Sequence, residues 1–280
     1  MPPQKHKDKE PMQFQPGFYL DYSIVDLSSD DGKTVDPNGR FYVYNPETIH
    51  PEYAHNILLI HGYNADFFQA LNAGIDYFDA LSPQIQGKAN FILIYWPGYV
   101  GETHFTQAVH QTGASAPNFS AAISYILSHS TAESPYFTFI AHSLGNGECA
   151  QTILYLKDHY NLAPVKKFIQ LAPAINANAY LTDFQQVPVL VPKITTYYSP
   201  NDTVLKKDYT LWNVSQLALS LVGTNIKNIF VKNKVVNPYY AMGYLGPYGI
   251  CPQSVQKIDA NSITDVAVNH GTYLTDKKTY

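Results

Sequence analysis

The chain has 280 residues, of which 45% are hydrophobic and 14% charged, with a formal net charge of −4. That balance excludes a disordered or fibrous chain, and a protein this long buries about three quarters of its unfolded surface without a disulfide staple. Arg40 is the only arginine among eighteen basic residues, so the side chain best suited to bidentate phosphate and guanine contacts is nearly absent, which argues against a nucleic-acid partner.

Residues 1–16 are polar and proline-rich and read as a poorly ordered tail. The charged start has no apolar run behind it, so it is not a signal peptide, and no stretch is long and apolar enough to span a membrane. A cytoplasmic protein is the simplest expectation; a removed leader or an unconventional export route would leave the same sequence.

From Gly17 to Tyr44, the short runs Phe18–Leu20 and Phe41–Tyr44 flank a turn-rich segment and suggest an opening hairpin. The continuous apolar run Asn56–Ile60 reads as a strand covered on both faces. It leads into His61-Gly62-Tyr63-Asn64 and a helical pattern from Asp66 to Leu81. Phe91–Tyr95 is a second buried strand. Glycine and histidine between Tyr99 and Pro117 predict a loop, followed by a helix over about Asn118–Ser128.

Tyr136–His142 then predicts a strand that ends abruptly in small residues around Ser143, with a helix running on to about His159. Further strands are expected at Lys167–Leu171, Lys193–Tyr198 and Val255–Asp259, an apolar helix at Trp212–Val222, and a terminal helix after Gly271. Alternating strands and helices imply an α/β fold with a mostly parallel central sheet and helices on both faces. Neither composition nor linkers divide residues 17–280, and a candidate cap segment lies at about 205–250.

The chemistry concentrates at Ala141-His142-Ser143-Leu144-Gly145, which matches a nucleophile elbow with alanine in place of its first glycine. A serine hydroxyl is a weak nucleophile until a base takes its proton and an acid orients that base. Asp202, just past the strand at 193–198, and His270, in a loop with Gly271 beside it, follow in that order. Their places fit the carboxyl ends of strands, where α/β sheets gather their reacting groups. Asp265 and Asp183 are rival acids. His142 reads as an elbow filler, since adjacent residues point apart, and His61 as a brace for its loop.

Oxyanion donors are expected from the backbone N–H groups of Leu144 and Tyr63, the latter in the turn freed by Gly62. Tyr240, Met242 and Tyr244 line an acyl or aromatic pocket or else pack in the core. His104 and His110 lack a matching ligand set, and Cys149 and Cys251 form neither a metal pattern nor a disulfide framework, so no metal and no cofactor is expected.

Together, His61–Asn64, Tyr95-Trp96-Pro97, Ala141–Asn146, Ser199–Asp202 and Leu245-Gly246-Pro247 resemble the α/β-hydrolase superfamily, and more narrowly a bacterial branch of serine hydrolases. The resemblance spans about Phe41 to the C-terminus. It implies Ser143 as nucleophile, Asp202 as acid, His270 as base, and Tyr63 with Leu144 as oxyanion donors. The implied activity is hydrolysis of a small-molecule carboxylic ester through an acyl-enzyme. An acyltransferase using the same intermediate and a catalytically silent binding protein are the alternatives.

Overall fold

The computed structural model describes residues 21–99, 105–177, 179–209, 241–245, 255–262 and 270. The sequence-predicted tail at 1–16, the Phe18–Leu20 strand, the Trp212–Val222 helix, the terminal helix and most of the candidate cap lie outside the described residues. Among the described residues the strands form one eight-stranded sheet in the order β2-β1-β4-β3-β5-β6-β7-β8. The strands are β1 (Ser23–Asp26), β2 (Tyr42–Tyr44), β3 (His55–Ile60), β4 (Ala89–Tyr95), β5 (Tyr136–His142), β6 (Val165–Leu171), β7 (Lys193–Tyr198) and β8 (Val255–Asp259). Only β2 runs antiparallel to its neighbour, β1. β1 and β2 pair antiparallel, as an opening hairpin would.

The apolar runs explain the central strands. Ile57–Ile60, Phe91–Tyr95 and Phe137–Ala141 are all buried, as strands with helices on both faces must be. From β3 the chain steps to one side to make β4, then crosses over to place β5 on the other side of β3. The sheet order reverses there. The carboxyl ends of β3 and β5 thus flank the crevice where open α/β sheets bind their ligands.

Helix α1 (Phe67–Ile85) starts at a reciprocal cap: Asp66 Oδ1 accepts from Gln69 N–H at 2.8 Å, and Gln69 Oε1 accepts from Asp66 N–H at 2.9 Å. It runs past the predicted Leu81. Helix α3 (Gly145–Tyr160) starts at the elbow itself and ends at Asn161, which adopts the left-handed conformation at φ 52°.

The largest departure from the sequence reading is α2 (Phe105–His129). Much of the predicted 99–117 loop is helical, and Pro117 sits inside the helix. Pro117 removes one intrahelical hydrogen bond, a cost offset by the burial of this helix. Ala108, Thr112, Ser115, Ala116 and Ser120 are buried along α2, and these small side chains let it pack closely on α3. Burial overrides intrinsic propensity here. No helix among the described residues is long and apolar enough to cross a membrane.

Candidate active site

Ser143 follows β5 directly and adopts φ 51°, a left-handed backbone that costs a non-glycine residue energy and that a surrounding structure must enforce. Three devices enforce it. Ser143 N–H donates to Leu171 O at 2.9 Å, and Ser143 O accepts from Ala174 N–H at 3.0 Å. The Asn146 side-chain amide then reaches the carbonyls of Ala141, Ser143 and Leu171 at 3.1, 2.9 and 3.3 Å. Lastly, the packing leaves no room for side chains at two glycines. A Cβ on Gly145 would overlap the His61 carbonyl, and one on Gly62 would stand 2.8 Å from Ser143 Cβ.

The structure brings Ser143, His270 and Asp202 together across 127 and 68 residues of sequence. His270 Nε2 lies 3.0 Å from Ser143 Oγ, and His270 Nδ1 lies 2.9 Å from Asp202 Oδ2. A carboxylate can only accept, so Nδ1 carries the proton and Nε2 is left to receive the one on Ser143. Asp202 is fully buried just after β7. Its other oxygen, Oδ1, accepts from Leu205 N–H at 2.9 Å. The rival Asp183 lies exposed in a turn after β6, and Asp265 is outside the described residues.

The loop after β3 is braced on the opposite side of the elbow. Trp96 N–H donates to His61 Nε2 at 3.2 Å and its indole N–H to His61 O at 2.8 Å. His61 Nδ1–H in turn donates to Gly62 O at 2.8 Å. Burial pushes the His61 pKa down to about 4, so the ring is neutral, as its accepting Nε2 requires. Asn64, at φ 60°, donates its N–H to Gly98 O at 3.1 Å. This framework sets Gly62 against the serine and Tyr63 next to it. The Tyr63 ring meets Phe105 edge-on at 5.1 Å. Leu144 N–H, at the N-cap of α3, has no acceptor among the described residues.

Of the three pocket candidates, Tyr240 is outside the described residues. Met242 begins a short helix, α4 (Met242–Leu245), and its side chain is wholly buried in the core. Met242 N–H donates to Ile175 O and Gly243 N–H to Pro173 O, each at 2.8 Å, which ties α4 to the segment after β6. Tyr244 lies on the same helix.

Two residues carry more of this site than their sequence context suggests. Asn146 appears only as a polar residue between two glycines, yet it is fully buried and pins the elbow. His142, read as a filler, donates from Nε2 to the His270 carbonyl at 2.9 Å. Burial, reinforced by the nearby His270, pushes its pKa down to about 3. Behind the elbow, Glu148 is enclosed between α2 and α3, with the Ser115 hydroxyl against Oε2 and Thr152 Oγ1 3.4 Å from Oε1. Burial pushes its carboxyl pKa up to about 8.

A hydroxyl within hydrogen-bond reach of an imidazole that a buried carboxylate orients is an arrangement able to activate a serine as a nucleophile. The start of α3 adds the partial positive charge of a helix N-terminus at the same point. A protein family described as "alpha/beta hydrolase of unknown function (DUF900)" matches residues 47–222. No curated protein matches the sequence. Among solved structures, esterase B from Lactobacillus rhamnosis, in a C6-C4 SN3 inhibited form, is similar with a TM-score of 0.34 and 11% identity over 60% of this chain and 62% of its own. A Pyrobaculum calidifontis esterase, in a monoclinic form, is similar with a TM-score of 0.41 and 10% identity over 81% of this chain and 71% of its own. Likenesses this distant carry no argument about chemistry. The family match, which covers more than half of the chain, does place it: the protein belongs to this α/β-hydrolase family.

Proposed function

We propose that this α/β hydrolase is a serine hydrolase that cleaves carboxylic esters through an acyl-enzyme, with Ser143 as nucleophile, His270 as base and Asp202 as the orienting acid. The observation that carries the reading is the line from Ser143 Oγ through His270 to Asp202, at 3.0 and 2.9 Å, on a serine held at φ 51°. In the first half-reaction His270 Nε2 takes the hydroxyl proton as Ser143 Oγ attacks the ester carbonyl. The imidazolium then gives that proton to the departing alcohol. In the second half-reaction the same nitrogen deprotonates water, which attacks the acyl-serine; the imidazolium then returns that proton to Ser143 Oγ as the acyl–oxygen bond breaks and the acid leaves.

The carboxylate of Asp202 stabilises the imidazolium and keeps Nδ1 protonated, while the backbone N–H groups of Leu144 and Tyr63 receive the tetrahedral oxyanion. Labelling with a fluorophosphonate probe tests the nucleophile directly. Wild-type protein is expected to take one adduct, mapped by mass spectrometry to Ser143, and to turn over p-nitrophenyl acetate. Ser143→Ala is expected to fold normally, take no adduct and lose turnover by about 10⁴-fold or more. Full activity in that variant would falsify the proposal.

A further inference from the structure

We infer that His142 is a positioning residue: its imidazole tethers the backbone of His270 to the strand that carries Ser143, and so sets the distance at which the base meets the nucleophile. The inference rests on the proposed roles of Ser143 and His270, and it concerns how their geometry is held.

His142 is the last residue of β5 and is buried. Its Nε2 lies 2.9 Å from the His270 carbonyl oxygen. A carbonyl can only accept, so Nε2 carries the proton and, in a neutral ring, Nδ1 is bare. Nδ1 lies toward Gly62, where a Cβ would come within 3.0 Å of it, so the ring sits close against that glycine's backbone. The two imidazoles lie 4.9 Å apart between centroids, inclined at 45°.

Consecutive residues of a strand point to opposite faces. Here the left-handed turn at Ser143 redirects the chain, and both side chains converge on residue 270. His142 holds its main chain, and Ser143 faces its ring. With Asp202 at Nδ1, three points of His270 are therefore constrained: the carbonyl oxygen, Nδ1 and Nε2. The Asp202 bond alone would let the imidazole swing about Nδ1 as its backbone shifts, lengthening the contact to Ser143. The His142 bond removes that freedom by anchoring the backbone to the same rigid strand as the nucleophile. A displacement of about 1 Å at such a contact costs on the order of 100-fold in rate.

The test uses the full-length protein as wild type, His142→Leu and His142→Gln. Glutamine brings an amide N–H close to the position of Nε2, whereas leucine fills the space without a donor. His142→Leu is expected to lower kcat for p-nitrophenyl acetate roughly 10- to 100-fold with KM within about twofold, and His142→Gln to recover most of the loss. Proton NMR supplies a readout that needs no turnover. The low-field resonance of the His270 Nδ1–H is expected in wild type and His142→Gln, and broadened or lost in His142→Leu.

A folded His142→Leu protein with wild-type kcat and an intact low-field resonance overturns the inference. So does a glutamine variant no better than leucine, because the role would then be packing. Should the leucine variant fail to fold, His142→Asn replaces it, since its amide is too short to reach the carbonyl, and the asparagine–glutamine contrast decides in the same way. If wild-type protein neither turns over ester nor takes the phosphonate, the hydrolase reading falls, and the NMR contrast still decides the tether.

Discussion

The two ends of the central sheet treat buried polar side chains in opposite ways. At the N-terminal end, Asn90 accepts from His50 N–H at 2.8 Å, donates to His50 O at 3.1 Å and donates to Asn56 Oδ1 at 2.9 Å. Asn56 in turn reaches the carbonyls of Ala54 and Tyr136 at 3.4 and 3.3 Å. Amide meets backbone, the hydrogen bonds close on themselves, and nothing in that set titrates. At the C-terminal end the partners are a hydroxyl on a strained turn, an imidazole and a carboxylate, so a proton can pass between hydroxyl and imidazole while the carboxylate holds the ring.

The N-terminal end also holds a cavity of about 240 Å³, lined in part by Ile49, Tyr53, Tyr125, Ile126 and His129. A hollow shows where space remains between elements. Strain at φ 51° and alignment of ionisable groups show where the fold spends stability on geometry, and that is the better guide to chemistry.

The comparison breaks if changes at the C-terminal end alter stability more than rate, or if changes at the N-terminal end alter rate more than stability. The largest effect is expected from Asp202→Asn, which leaves the shape but offers Nδ1 the wrong partner. A fall in kcat of about 10⁴-fold is expected, with chemical denaturation nearly unchanged; a loss below tenfold would remove Asp202 from the proposed mechanism. At the other end, Asn90→Leu leaves Asn56 Oδ1 buried without a donor and should cost about 2–3 kcal/mol in urea denaturation. The kcat of the folded fraction should stay within about twofold.

Gly62→Ala sharpens the contrast, because the added methyl meets Ser143 Cβ at 2.8 Å. A rate loss of about 10- to 100-fold with a change in stability near 1 kcal/mol is expected. Equal phosphonate labelling rates for this variant and wild type would show that the elbow yields without cost.

The effect that leaves the rate least changed concerns pH. His61 and His142 have pKa values lowered by burial to about 4 and about 3, so their contribution to stability is present above about pH 6.5 and is lost as pH falls through those values. Glu148 behaves in the opposite sense. Its pKa is raised by burial to about 8, so its contribution is complete below about pH 4.5 and is lost as pH rises through 8. Between about pH 6.5 and 8, wild-type stability should fall by roughly 1.4 kcal/mol per pH unit on account of Glu148. Glu148→Gln mimics the protonated acid and should flatten that limb. Denaturation of both proteins at pH 6.5 and 8 measures the difference, and parallel curves would mean that Glu148 is already ionised in the folded protein.

Most of the sheet could be read from the chain because its signal is local. A run such as Ile57–Ile60 or Phe91–Tyr95 has no polar face to present to water, so it must be a covered strand whatever surrounds it. The elbow could be read for a similar reason, since Ala141, Gly145 and Gly147 are the small residues a tight strand-to-helix turn demands. Local signals misled where packing outweighed them. Gly113 and Pro117 suggest a loop until the burial of Ala108, Thr112 and Ser115 against α3 is known.

By itself, then, the sequence determined the α/β class, the order of the central strands along the chain, and the residue types able to form a nucleophile, an acid and a base. Tertiary structure alone decided that Ser143, Asp202 and His270 share one line of hydrogen bonds, because separations of 68 and 127 residues leave no trace in a local pattern. It alone decided as well that His142 grips the main chain of His270 and that Asn146 pins three carbonyls. The physical reason is the same in each case. A backbone carbonyl is present at every residue, so the sequence cannot say which one a distant side chain will find, and only the crossing from β4 to β5 and the return through β7 bring the partners within reach.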